Sequence, residues 1–207
     1  LELVSSQYEL FPNLVLILII LIFGTAIINF INFMDGIDGL VAGGMLITFA
    51  FILNINFEYY LLFIIGSLIS FIYFNWNPSK VFMGDIGSTF LASLYLYSIF
   101  NVQNLEFTNL SIFIIPLSPF WLDCITCLIL RFYNGQNIFK AHKLHLYQRL
   151  NQSGWSHSLV ATLYIIFIII LGIITRLKIV SLNIISLSIL LIIGFLLDKY
   201  VAKPFKA

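Results

Sequence analysis

Charge is what this sequence has least of. Only 9% of its 207 residues are Asp, Glu, Lys or Arg, whereas soluble domains average about 25%. So few charged groups cannot clothe a water-exposed surface, and an ordinary soluble globule is excluded. Disorder is excluded by the opposite excess, 61% of the chain being hydrophobic. The formal net charge of +1 leaves no global attraction to nucleic acid, so no nucleic-acid partner is expected. Cysteine is scarce too. Cys124 and Cys127 form one C-x-x-C pair inside an apolar run, and without a second pair they read as small buried residues rather than a redox or metal site. No repeat, low-complexity linker or composition break divides the chain, so residues 1–207 read as one unit. The chain opens on Leu1 rather than Met, and no basic segment precedes the first apolar run. That is not a secretory signal, and the expectation is a longer protein with further spans upstream.

What is present is hydrophobic length. Mean hydropathy is +1.05, and a helix crossing a bilayer needs about 20 apolar residues. The runs predict an all-α, polytopic transmembrane helical bundle of about seven spans: Pro12–Phe33, Leu40–Ile55, Tyr59–Phe74, Ser88–Phe100, Leu110–Leu130, Leu159–Thr175 and Val180–Leu197. Loops 34–39, 75–87 and 131–157 then share one side with the tail. That side holds Lys80, Arg131, Lys140, Lys143, Arg149, Lys199, Lys203 and Lys206, and the other only Arg176 and Lys178. The Lys/Arg excess marks the first side as cytoplasmic. Asp35, Asp38, Asp85 and the three histidines all fall there.

Three polar segments can carry chemistry. In Asn29-Phe-Ile-Asn32-Phe-Met-Asp35-Gly-Ile-Asp38-Gly, spacing by three places Asn32, Asp35 and Asp38 near one face of a helix end. Two carboxylates and an amide oxygen suit a hard cation or a polar substrate. A calcium EF-hand is rejected because Leu46 stands where the twelfth-position Glu belongs. In Asn75-Trp-Asn-Pro-Ser-Lys-Val-Phe82-Met-Gly-Asp85-Ile-Gly-Ser, Asp85 opens a helix. A carboxylate there can hold Mg²⁺ while the free N–H groups favour phosphate. Phe82 beside it offers a stacking face. In Lys140-Ala-His142-Lys-Leu-His145-Leu-Tyr-Gln-Arg149, His142, His145 and Arg149 share a face if helical. They fit a diphosphate, with zinc and a plain surface helix as the other readings. Asp123, the one acid inside a span, is costly there unless paired. Arg131 is its expected partner, and structural support of the site its expected role.

Taken in order, these segments resemble the polyprenyl-phosphate N-acetylhexosamine-1-phosphate transferases, glycosyltransferase family 4. The matching residues are Asn32-Phe-Met-Asp35-Gly-Ile-Asp38-Gly-Leu40, Val81-Phe-Met-Gly-Asp85-Ile-Gly-Ser88 and the His142-x-x-His145-x-Tyr-Gln-Arg-Leu150 loop. The loop's form is similar to the O-antigen-initiating, undecaprenyl-phosphate GlcNAc-1-phosphate branch. The muramoyl-pentapeptide branch usually has three adjacent histidines there. The resemblance implies transfer of an N-acetylhexosamine-1-phosphate from a UDP-sugar to polyprenyl (undecaprenyl) phosphate, releasing UMP and starting lipid-linked cell-envelope glycan synthesis. It implies a multi-pass protein of the bacterial inner membrane with a cytoplasmic active site, and a homodimer is compatible with it. It also implies dependence on Mg²⁺, with Mn²⁺ as a substitute.

By the same resemblance Asp85 and Asn32 are metal ligands, and Asp35, Asp38 and Asp85 are catalytic. Asn32, Asn75 and Phe82 bind the nucleotide-sugar, with Asp38 and Phe82 near uracil, and His142, His145 and Arg149 contact phosphates or sugar. The family's upstream Asp-Asp motif has no counterpart here, since no Asp-Asp pair occurs. Little or no turnover is therefore expected of these 207 residues alone. The competing classes are a membrane transporter, whose site would lie near the midplane rather than on one face, and a non-catalytic remnant that binds no UDP-sugar.

Overall fold

The structure is a computed structural model. It describes residues 2–55, 57–101 and 107–205, and within these every side chain except those of residues 2–13, 16 and 107–110. Among the described residues every regular element is a helix: α1 (Glu2–Phe33), α2 (Leu40–Ile55), α3 (Tyr59–Asn75), α4 (Gly84–Phe100), α5 (Phe107–Ile114), α6 (Ser118–Tyr133), α7 (Leu146–Gln152), α8 (His157–Arg176) and α9 (Val180–Tyr200). Apolar runs with few glycines or prolines satisfy their backbone groups internally, which a lipid environment demands. Helices α8 and α9 are long and apolar enough to cross a membrane, and α2, α3 and the Ile17–Phe33 part of α1 are shorter apolar helices. Together they fit a membrane helical bundle.

Helix α2 lies at its centre. With 16 residues it rises only about 24 Å, short of a bilayer core of about 30 Å. Its length suffices because it is wrapped by protein: Leu40, Val41, Ala42, Met45, Phe49 and Ile52 are all buried. It packs on α3 and α8, and α1 packs on α4. Small residues let these backbones approach. A Cβ added at Gly43 would lie 2.3 Å from Ile165 Cδ1, and one at Gly172 would lie 2.2 Å from Phe51 Cε2.

Two expectations change. Helix α1 begins at Glu2, ahead of Pro12. The run Leu110–Leu130 is not one helix but two, α5 and α6, with a turn at 115–117 between them. Pro116 has no N–H and its ring blocks the continuing helix, while Pro119 sits in the first turn of α6, where an N–H has no helical partner anyway. Freed carbonyls at the end of α5 are taken up by neighbours. Tyr95 Oη donates to Phe113 O at 2.6 Å and Trp121 Nε1 to Ile114 O at 3.1 Å.

Candidate active site

The three polar segments meet at one end of the bundle, where α1 ends, α4 and α8 begin, and α7 packs on α6, α8 and α9. The turn after α1 carries Asn32, Asp35 and Asp38. Asp38 is buried and clasps this turn to the loop after α3. Ser79 Oγ donates to its Oδ1 at 2.8 Å and Asn77 Nδ2 to its Oδ2 at 3.0 Å. His157 Nδ1, at the start of α8, lies 3.1 Å from Oδ2. Burial pushes the Asp38 carboxyl up. The hydrogen bonds from Asn77, Ser79 and His157, with the His157 charge, outweigh burial and hold it below the usual carboxylate range.

Asn75 closes the same clasp. Its Oδ1 accepts from Gly39 N at 3.0 Å and its Nδ2 donates to Val81 O at 2.8 Å. Gly39 is needed at that point. Its φ is +76°, and a Cβ there would lie 2.6 Å from Trp76 Cε3.

Asp35 is half-buried, and Asp85 is exposed in the first turn of α4. Among the described residues neither carboxylate receives a hydrogen bond or an ion pair from another side chain. Burial first, and then the Asp85 charge, push the Asp35 carboxyl up to about 7. Two like charges that act on one another without a counter-charge favour a cation. Two carboxylates, with the Asn32 amide three residues before Asp35, are oxygen donors of a kind that fits a hard divalent ion. Phe82 stands 76% exposed beside Asp85, free to stack on a planar ligand.

The third segment folds differently from a single helix through both histidines. Helix α7 starts only at Leu146, with His145 as its N-cap, and His142 lies outside it. His142 is partly exposed. Burial, then His145 and Arg131, push it down to about 4, so it is neutral at pH 7. His145 is buried, its ring centroid 5.0 Å from that of His142 and 6.1 Å from that of Phe33. Arg149 is buried and spends its donors inside the chain. Nε donates to Leu144 O at 3.1 Å, one terminal nitrogen to Lys203 O at 3.0 Å, and the other pairs with Asp198. Phe205 lies under its guanidinium at 5.2 Å.

Asp123 and Arg131 do not pair. Arg131 is bonded to Gln136 Oε1 and to the carbonyls of Asn137, Ile138 and Lys140, which curls the loop after α6 around it. Asp123 is met instead by His145, Leu146, Tyr147 and Tyr164. The charge found closer partners because the loop folds back over the end of α6. Cys127, His142 and His145 each bring one ligand atom within 4.8 Å of the others. Ligand atoms around tetrahedral zinc sit roughly 3.3–3.7 Å apart. The described residues add no fourth Cys, His or carboxylate to this group, and His142 Nδ1 already accepts from Leu144 N at 3.3 Å.

Sequence reasoning gave no role to His157, Tyr147, Tyr164, Asn77, Ser79 or Asp198. Only Tyr147, Asn77 and Ser79 stood in quoted segments. The others are single polar residues whose partners are distant in sequence.

The ordered trio of segments now has a common location, and the comparisons with known proteins can be set beside it. The glycosyl transferase family 4 profile matches residues 2–103. The chain belongs to that family. It is 33% identical to the probable undecaprenyl-phosphate N-acetylglucosaminyl 1-phosphate transferase of Bacillus subtilis, over 68% of this chain and 42% of that protein. It is 31% identical to the decaprenyl-phosphate N-acetylglucosaminephosphotransferase of Mycobacterium leprae, over 73% of this chain and 45% of that protein. It is 27% identical to a phospho-N-acetylmuramoyl-pentapeptide-transferase of a Wolbachia from Drosophila simulans, over 71% and 48%. The chain thus spans about half the length of the curated relatives it matches. The family 4 match covers the Asp35 and Asp85 segments, and the His142–Arg149 segment lies beyond it.

Proposed function

We propose that this chain is the part of a membrane phosphosugar transferase that binds a UDP-N-acetylhexosamine and its Mg²⁺, and that it serves transfer of the sugar-1-phosphate to polyprenyl (undecaprenyl) phosphate. The proposed setting is the bacterial inner membrane, crossed by about seven spans from this chain, with the site on the cytoplasmic face. The lipid acceptor is confined to the bilayer, so a donor site at the end of the bundle lets both substrates meet. An oxygen of the lipid phosphate attacks the sugar-bearing phosphorus of the donor. The bond to the bridging oxygen breaks and UMP leaves with that oxygen.

Phosphoryl transfer of this kind depends on positioning and charge neutralisation more than on covalent help. Mg²⁺, when bound, supplies that neutralisation. Asp85 with Asn32 would hold it, with Asp35 beside them; Mn²⁺ would serve the same oxygen donors. Asp35, raised to about 7 by burial and then the Asp85 charge, would be held ionised beside a bound cation. Phe82 stacks on the uracil, and His142 offers a neutral imidazole to a phosphate or sugar oxygen. Asp38, Asn75, His145 and Arg149 already use their polar atoms on internal partners, so we assign them to holding the site in shape. The loop form His142-x-x-His145-x-Tyr147-Gln148 favours GlcNAc-type donors over muramoyl-pentapeptide.

The observation that carries this reading is Asp35, half-buried and raised to about 7 by burial and then the Asp85 charge, with no ion pair from the described residues. Asp85→Asn, in the protein as expressed from its own gene, is expected to abolish Mg²⁺-dependent UMP release. Release unchanged by that substitution would refute the assignment.

A further inference from the structure

Asp123 is the most heavily hydrogen-bonded carboxylate among the described residues, and nothing in the reaction above uses it. It is 4% exposed, on α6. Its Oδ1 accepts from Leu146 N at 2.8 Å and lies 3.3 Å from His145 Nδ1. Its Oδ2 accepts from Tyr147 N at 3.0 Å and from Tyr164 Oη at 2.6 Å. A carboxylate from one helix thus caps the first N–H groups of another, where the helix dipole favours negative charge. Helix α7 has only seven residues, too few to persist without outside support.

The effect does not stop at α7. Tyr147 reaches from it to the Asp35 turn, donating from Oη to Phe33 O at 2.9 Å. The turn is shaped to receive it, because a Cβ on Gly36 would lie 2.1 Å from Tyr147 Oη. Asp123 therefore fixes two things. Through Tyr147 it fixes the height of the turn that carries Asp35. Through His145 it places a ring, whose Nδ1 lies 3.3 Å from Oδ1, a group that can only accept whenever it is ionised.

We propose that Asp123 is a positioning residue of the transferase site: it holds His145 as the Nδ1–H tautomer and seats Tyr147 against the Asp35 turn. This rests on the transferase reading and adds to it a residue that touches no substrate. A plain core role would predict a less stable protein whose surviving molecules work normally. A positioning role predicts correctly folded molecules that bind donor and turn it over slowly.

The test uses the protein as expressed from its own gene, in lipid nanodiscs, with Asp123→Asn, Asp123→Glu, His145→Ala and Asp123→Asn/His145→Ala. Wild-type protein labelled with ¹⁵N-histidine is expected to show His145 as the Nδ1–H form, and Asp123→Asn to lose it. Losing the orienting carboxylate of a histidine typically costs about 10–100-fold or more. Asp123→Asn is therefore expected to lower kcat about 100-fold with KM for the UDP-sugar changed less than about threefold, and Asp123→Glu to recover part of kcat. The double variant is expected to lose no more than the worse single variant, because both act through one ring.

A wild-type His145 in the Nε2–H form overturns the proposal whatever the activity. So do losses that multiply in the double variant. A wild-type kcat in Asp123→Asn, with Asp85→Asn inactive, overturns it and leaves the transferase reading standing. Unchanged UMP release in Asp85→Asn removes the transferase reading and this proposal with it. If Asp123→Asn does not fold, the spectrum of wild type and the kcat of Asp123→Glu decide.

Discussion

Asp35 and Asp38 are three residues apart and chemically identical, yet their surroundings push them in opposite directions. Asp38 is paid in hydrogen bonds and sits low, whereas Asp35 has burial and the Asp85 charge and is lifted to about 7. A folded-state pKa above the unfolded value means that the folded protein holds an extra proton between about 3.8 and about 7. Stability from Asp35 is then present in acid and lost as pH rises through 7. Asp38 acts with the opposite sign, contributing above the ordinary carboxylate range and losing its contribution on acidification. On the proposed reading Mg²⁺ would compete with the Asp35 proton, so its affinity is expected to rise between pH 6 and 8. Asp35→Asn should flatten that slope in calorimetric titrations of Mg²⁺ alone. Gly36 offers a second check. Gly36→Ala brings a methyl against the Tyr147 hydroxyl and is expected to cost about 1–3 kcal/mol. Adding Tyr147→Phe removes the clashing oxygen, so the pair should be more stable than Gly36→Ala alone in thermal unfolding.

Helix termini and helix contacts are where sequence reading and structure part. Spans two, three, four, six and seven match helices to within a few residues, because length and hydropathy suffice to place an apolar helix. The fifth failed because hydropathy does not register backbone chemistry. Pro116 and Pro119 sit in an unbroken apolar run and still divide it. The histidine loop misled in the converse way. Spacing by three suggests a helix face, but the helix begins after His145, with its first N–H groups on Asp123. Contact between α2 and α8 depends on missing side chains. Gly172→Ala would place a methyl 2.2 Å from Phe51 Cε2. It is expected to lower stability by about 1–3 kcal/mol, read as an earlier unfolding transition in detergent, with Phe51→Leu in the same chain restoring part of the loss.

At the scale of the whole molecule, the arrangement requires that the acidic and histidine-bearing loops share a side. Single cysteines test it. Cys124 and Cys127 are buried, so they give a quiet background to membrane-impermeant thiol labelling. Cysteines at Lys80, Lys140 and Lys203 are expected to label from the cytoplasmic side only, and those at Glu58 and Lys178 from the opposite side only. Any one of the first three labelling with the second group would break the common site.

Class and motif were legible in the sequence. A chain with 9% charged residues and long apolar runs has no route to a stable fold except helices in lipid, and the rare polar clusters mark the site because each is expensive to keep beside a bilayer. Partnership was not legible. Asp38 with His157, Asp123 with His145 and Tyr164, and Arg149 with Asp198 are pairs of residues 119, 22, 41 and 49 positions apart. Hydrogen bonds are short-ranged and directional, so only the packing of helices, which brings distant atoms within about 3 Å, decides which carboxylate is tied into the structure and which keeps its oxygens without a side-chain partner among the described residues.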